Sequence, residues 1–286
     1  MAVLTKIRHT FELIKFSHTV FALPFALAAY FVATSGRVEW RTLLWVLACL
    51  VLARTSAMAF NRLADAKIDA DNPRTRQRHL PAGLLSRRFV MGLTLVTGVG
   101  FLLAARQLNT LAFWLAPFCL AVLYLYSLTK RFTHYTQLFL GLALGLAPVG
   151  ATIAVLGRMT VSSLVLGLAV LFWVAGFDLL YSLQDLNFDR EHQVHSLPVK
   201  LGERGSFLLS RTFHLVFFGL LLLYGYLVGF GMVYWVGCAL SALFLLYQHF
   251  TLRSDLNKIQ AAFFTANGLL SLFFLGFVLG DLYLKY

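Results

Sequence analysis

RTLLWVLACLVLARTSAMAFNRLADAKIDADNPRTRQRHLPAG, residues 41–83, runs from an apolar stretch directly into clustered acid and base. Positions 41–60 suit a membrane span, which needs roughly 20 mostly apolar residues. Beyond them Asn61, Asp65 and Asp69 follow at i, i+4 and i+8, a spacing that sets three oxygen-bearing side chains on one helical face. Asn72-Pro73 then stops that helix. The chain has only 12 acidic residues in 286 and is 59% hydrophobic, so carboxylates at matched helical spacing are informative. Oxygen donors suit a hard divalent cation: Mg²⁺ takes one or two carboxylates and leaves places for water and phosphate oxygens.

A second stretch, YSLQDLNFDREHQVHSLPVKLGERG at 181–205, repeats the pattern. Asp185 and Asp189 lie 120 residues after Asp65 and Asp69, and Asp178, Tyr181, Asp185 and Asp189 are spaced as one helical stripe. Asp178 sits deeper, among Phe172, Trp173, Phe177 and Leu179, where an acid is costly unless it is paired or faces a polar cavity. Both stretches turn basic after the acids and then reach Leu-Pro and a Gly, at Leu80-Pro81 and Leu197-Pro198. The matched order reads as a weak internal repeat, with halves near 1–135 and 136–250, a ninth helix near 260–281, and polar loops at 61–88 and 182–205.

Working outward, a mean hydropathy of +0.77 places the chain in a bilayer as an all-α membrane protein. Apolar runs predict about nine spans, near 16–35, 41–60, 88–106, 110–127, 136–156, 161–182, 206–228, 232–250 and 260–281. They fill the chain as a single transmembrane domain. The N-terminal twenty residues lack the short apolar core and small-residue site of a removable signal peptide.

The net charge is +12. Counting Arg54 with the connection after the second span, 19 of the 24 Lys and Arg fall on one side and five on the other. That bias predicts an N-in, C-out multi-pass protein with both aspartate loops in the cytoplasm, and the expected location is a bacterial inner membrane. Basic residues spread over five connections disfavour nucleic-acid binding. Cys49, Cys119 and Cys238 fall in spans without metal-ligand spacing and read as buried apolar residues.

Two carboxylate clusters could hold Mg²⁺ ions around one diphosphate, neutralising charge on a leaving group. Arg74, Arg78, Lys130 and Arg131 are candidates for contacts to the same oxygens. The ordinary alternative is a solvated rim of balanced charge. His79, His192 and His195 lie near the loops but lack an i, i+4 pair, which disfavours a transition-metal site. No Walker or dinucleotide glycine motif occurs. A polytopic carrier is the competing class, since Asp178 and the repeat suit transport, yet spans seven to nine offer few polar residues to continue a path.

At these residues the sequence resembles the UbiA superfamily of intramembrane aromatic prenyltransferases. Asn61–Gly83 is similar to its first signature, N-D-x-x-D-x-x-x-D followed by basic residues and Pro-x-Gly. Asp178–Asp189 resembles the second, D-x-x-Y-x-x-x-D-x-x-x-D, and YLYSLTKRFTHYTQLFLGLALGLAPVGA resembles the helix-four to helix-five region. The nearest likeness is to the 4-hydroxybenzoate polyprenyltransferase branch and its menaquinone-pathway relatives. The resemblance implies a helix-ringed cavity capped by the aspartate loops and open to lipid. It implies Mg²⁺-dependent loss of diphosphate from a polyprenyl diphosphate, and attack on the allylic cation by a ring carbon of an aromatic acid. It also assigns Asn61, Asp65 and Asp69 to the first cluster and Asp185 and Asp189 to the second, with Asp178 and Tyr181 beside them. Arg74, Arg78 and Lys130 would contact diphosphate, and Tyr126 would shield the cation.

Three positions depart from that pattern. Arg62 stands where a second acid is usual, Lys15 and His18 where many members have Arg and Lys, and His195 where Lys is frequent. Lys15 and His195 are candidates for substrate contacts. The changes at Lys15, His18 and His195 bear on the acceptor more than on the reaction and lean toward the menaquinone-type relatives, leaving the acceptor open between 4-hydroxybenzoate and a dihydroxynaphthoate. Prenylation of haem or chlorophyll would need a far larger acceptor.

Overall fold

The computed structural model describes residues 8–10, 12–14, 21–254 and 259–284, with backbone alone at 253–254 and 259–265. All regular structure among the described residues is helical, as the hydropathy predicts. The helices are α1 (Leu23–Ala33), α2 (Trp40–Asp71), α3 (Arg87–Arg106), α4 (Thr110–Thr129), α5 (Thr136–Leu156), α6 (Val161–Tyr181), α7 (Leu186–Glu191), α8 (Leu197–Val228), α9 (Met232–Ser254) and α10 (Ile259–Leu284). Eight of the described helices are long and apolar enough to cross a membrane. The first predicted span differs. At 11 residues α1 is about 16 Å long, short of a ~30 Å hydrocarbon core; Pro24 opens it, and Ser35 and Gly36, both at positive φ, follow its end.

In contrast, α2 overshoots. Its 32 residues make a rod of about 48 Å, so the polar stretch from Asn61 onward continues the apolar span as an extension of the same helix. The chain leaves it at Asn72-Pro73, where the Asn72 side chain accepts a 2.8 Å hydrogen bond from the Arg74 N–H. Both Leu-Pro segments end in a glycine at positive φ, Gly83 at 71° and Gly202 at 68°. A side chain is strained there, so the second kinks α8 near its start.

The fold comprises two compact units, one from Met1–Thr19 with Leu44–Leu128, the other from Val20–Leu43 with Thr129–Tyr286. In the first, Phe101, Ala105, Ala116 and Leu120 pack with Leu52 and Tyr124, joining α2, α3 and α4. Ser56 adds a polar tie, donating to the Thr94 carbonyl at 2.8 Å and meeting the Tyr124 hydroxyl at 2.6 Å. Leu13 and Ile14 lock the N-terminal segment onto Ala59, Leu85 and Val90.

In the second unit α6 is apolar all round and correspondingly enclosed. Trp173 has no exposed surface and lies 5.0 Å from both the Phe25 and Phe177 rings. Gly141 and Gly145 of α5 face Leu171 and Gly167 of α6 so closely that an added Cβ would strike backbone oxygen. Small residues four apart permit this approach in lipid, where packing drives helix association. Deeper in α6, Gly176 makes room for His214 of α8. His214 Nε2 lies 3.3 Å from the Trp173 carbonyl and Nδ1 lies 2.9 Å from His249 Nε2. A carbonyl only accepts, so neutral His214 donates through Nε2 and receives the His249 proton at Nδ1, linking α6, α8 and α9.

Candidate active site

Asn61, Asp65 and Asp69 are all buried, at 9%, 5% and 4% exposure, on one face of α2. The Asn61 amide donates to Asp65 Oδ2 at 3.3 Å and to the Ser127 hydroxyl at 3.4 Å, fixing the first carboxylate from two helices. Asp69 is held through both its backbone and its side chain. Thr75 Oγ1 donates to its backbone oxygen at 3.1 Å, and Arg78 Nη1 lies 2.8 Å from each carboxylate oxygen. Burying a carboxylate is costly without such partners.

Arg62, the departure in the first signature, turns away from an acid's role. Its Nε donates to the Leu13 carbonyl at 3.3 Å, pinning the N-terminal segment, while its charge stays within electrostatic reach of Asp65 and Asp69. Arg74 is exposed. Lys15 and His18 lie outside the described residues.

Arg54, which the spacing of the motifs does not single out, lies two turns before Asn61 on α2 and within electrostatic reach of Tyr126. A guanidinium at that depth in an apolar helix marks function by default, the same rule that singles out Asp178. Ser127 belongs to the Tyr-Ser pair of the helix-four to helix-five likeness, but nothing in the sequence gives it a role at Asn61.

The second cluster is built differently from the first. The predicted stripe from Asp178 to Asp189 is broken, because α6 ends at Tyr181 and a 3₁₀ turn, Ser182–Asp185, precedes α7. Three residues per turn instead of 3.6 shift the phase of the later positions. Ser182 donates to the Leu179 carbonyl at 2.8 Å and receives the Gln137 amide at 3.2 Å, stabilising the tighter turn. Asp189 is buried at 9% exposure, whereas Asp178, Tyr181 and Asp185 are half-buried. Downstream, His195 packs on His134 with ring centroids 4.9 Å apart, and His134 Nδ1 lies 3.2 Å from the Ser196 carbonyl. Lys130 is half-buried and Arg131 exposed.

The donor set fits a hard cation. Asp65, Asp69, Asp185 and Asp189 offer only oxygen, and Asp69 already carries a cationic group across both of its oxygens. Each aspartate pair, taken by itself, offers donors that suit Mg²⁺, whose chemistry is to neutralise charge on a departing diphosphate.

A UbiA prenyltransferase family profile matches residues 22–278. The chain belongs to the UbiA prenyltransferase family. It is 30% identical over 255 residues to a 4-hydroxybenzoate octaprenyltransferase of Pseudomonas entomophila, covering 88% of this chain and 86% of that one. A protein of the same description from Vibrio parahaemolyticus is 28% identical over 240 residues, 84% of each. The apo structure of a UbiA homologue from Aeropyrum pernix superposes with a TM-score of 0.82 at 29% identity, over 94% of this chain and 97% of that one. A UbiA homologue from Archaeoglobus fulgidus, bound to DMAPP and Mg²⁺, shares the fold with a TM-score of 0.74 at 18% identity, over 96% and 99%. This UbiA enzyme is thus a multi-pass membrane prenyltransferase.

Proposed function

We propose that this UbiA enzyme transfers a polyprenyl chain from polyprenyl diphosphate to a ring carbon of 4-hydroxybenzoate, in respiratory quinone synthesis. The carrying observation is the enclosed oxygen stripe of Asn61, Asp65 and Asp69 with Arg78 across the last carboxylate. Similarity to the 4-hydroxybenzoate octaprenyltransferases supports the acceptor class. In turnover the allylic C–O bond to diphosphate breaks, a ring carbon ortho to the phenol forms the new C–C bond, and that carbon's proton leaves.

Each chain residue has a part. Asp65, Asp69, Asp185 and Asp189 bind the metal–diphosphate group, with both clusters needed in one turnover. Arg78, released from Asp69, and Arg74, Lys130 and Arg131 add charge-assisted contacts to its oxygens. Asn61 holds Asp65 in position, and Asp178 and Tyr181 contact substrate beside the second cluster. Tyr126 presents a π face to the developing cation. Arg54 binds the acceptor carboxylate; Lys15 and His195 are further candidates for substrate contacts. The enzyme sits in a bacterial inner membrane with its N-terminus in the cytoplasm, as the 19-to-5 basic bias favours.

An acceptor panel tests the assignment. Purified enzyme is given octaprenyl diphosphate, Mg²⁺ and either 4-hydroxybenzoate or a dihydroxynaphthoate, and products are weighed by mass spectrometry. Prenylated 4-hydroxybenzoate supports it. Product from the naphthoate alone moves the enzyme to the menaquinone-type branch, and uptake into proteoliposomes without product rejects prenyl transfer.

A further inference from the structure

Besides the aspartates, three side chains from two segments far apart in sequence converge in the first compact unit. His9 and Glu12 lie one helical turn apart, and His79 comes from the segment leading to Leu80-Pro81. Glu12 Oε2 is 3.4 Å from His9 Nδ1 and 3.2 Å from His79 Nε2, and all three ligand atoms lie within 4.8 Å of one another. A tetrahedral site with bonds of about 2.1 Å has ligand–ligand edges of about 3.4 Å, so two of the three edges are already at metal-binding length. His9 Nδ1 is buried and makes no hydrogen bond, while the other Glu12 oxygen, Oε1, accepts 2.8 Å from Arg8 Nε. That division leaves Oε2 to the imidazoles and orients it through an outer partner, an arrangement typical of metal-bound carboxylates.

We propose that His9, Glu12 and His79 form a three-ligand site for a borderline divalent cation of the Zn²⁺ class, clasping the N-terminal segment to the segment that carries Arg78. Two imidazoles and one carboxylate match the ligand types that Zn²⁺ accepts, with a fourth position left for water. Mg²⁺ is disfavoured by the nitrogen donors. The site is separate from the all-oxygen donor set of the aspartates. The clasp has a mechanical consequence, because His79 directly follows the arginine that bridges the Asp69 oxygens.

The test uses full-length enzyme in detergent, freed of any histidine tag and stripped with chelator. Titration with Co²⁺ should bring up the visible d–d bands of a tetrahedral site at one equivalent, and Zn²⁺ should displace them. Zn²⁺ should also slow backbone hydrogen exchange across residues 8–14. His9→Ala and His79→Gln, each checked for a single elution peak, should weaken Zn²⁺ at least about tenfold. Asp65→Asn should leave the stoichiometry at one, which keeps this result independent of the catalytic reading. Absence of tetrahedral Co²⁺ bands in the parent enzyme, or unchanged affinity in both histidine variants, would overturn the site.

Discussion

Arg78 sets a single nitrogen, Nη1, 2.8 Å from both carboxylate oxygens of Asp69, so one guanidinium N–H group bridges an entire buried carboxylate. In the proposed reaction the arginine gives way to the metal–diphosphate group and keeps the acid compensated until then. Arg78→Ala should therefore lower thermal stability in detergent, by about 1.5–3 kcal/mol for a lost charged hydrogen bond. It should also raise KM for the polyprenyl diphosphate while leaving KM for the acceptor nearly unchanged. Steady-state kinetics with each substrate varied in turn reads the split.

Arg54 gives the complementary test. Its charge lies two turns deeper on α2 than Asn61 and within reach of Tyr126. Arg54→Leu should weaken the acceptor acid by roughly tenfold or more, about 1.5–3 kcal/mol. Replacing the carboxylate of the acceptor by a carboxamide should cost the parent enzyme a similar factor and the variant almost nothing. Equal losses in both would remove Arg54 from acceptor binding.

Close packing of α5 on α6 rests on absent side chains. At Gly145 a Cβ would meet the Gly167 carbonyl, which belongs to rigid helix backbone. Gly145→Leu should destabilise the enzyme by at least about 1–3 kcal/mol, seen as a lower unfolding midpoint. Gly150 sits on the same helix, and a Cβ added there would meet nothing within 4 Å, so Gly150→Ala should be near neutral or slightly stabilising.

Asp281 of α10 caps the start of α9 from across the chain. Its carboxylate accepts the Gly231 N–H at 2.7 Å and the Tyr234 N–H at 3.1 Å, satisfying donors that a helix start leaves open. Asp281→Ala should cost about 0.5–2 kcal/mol, and Asp281→Asn less, when unfolding is followed by near-UV circular dichroism.

Much of the architecture is legible in the sequence because lipid leaves few choices. Apolar runs of span length become helices, and the eight long helices from α2 onward overlap the runs that hydropathy marks, while the short α7 lies in the polar loop between two of them. The first cluster is legible for a related reason: α2 continues unbroken past Asp69, so i, i+4 spacing keeps its meaning. At the second cluster the same arithmetic fails, since the 3₁₀ turn at Ser182–Asp185 is stabilised by Gln137, a partner 45 residues away. The gathering of His9, Glu12 and His79 is hidden likewise, because only tertiary packing of Leu13 and Ile14 brings the N-terminal segment to residue 79. Arg54 is visible by depth alone.

At the centre of the proposed reaction, the aspartates of the two clusters bind the metal–diphosphate group from which a prenyl chain passes to an aromatic acid. The most direct measurement compares the parent enzyme with Asp65→Asn and Asp185→Asn, all inserted at equal levels, in one assay with octaprenyl diphosphate, 4-hydroxybenzoate and Mg²⁺. Ring-prenylated product should form with the parent enzyme, vanish with chelator, and fall at least about 10²-fold in each variant, the scale expected when electrostatic stabilisation of a leaving group is lost. Turnover at the parent rate in either variant would contradict the account.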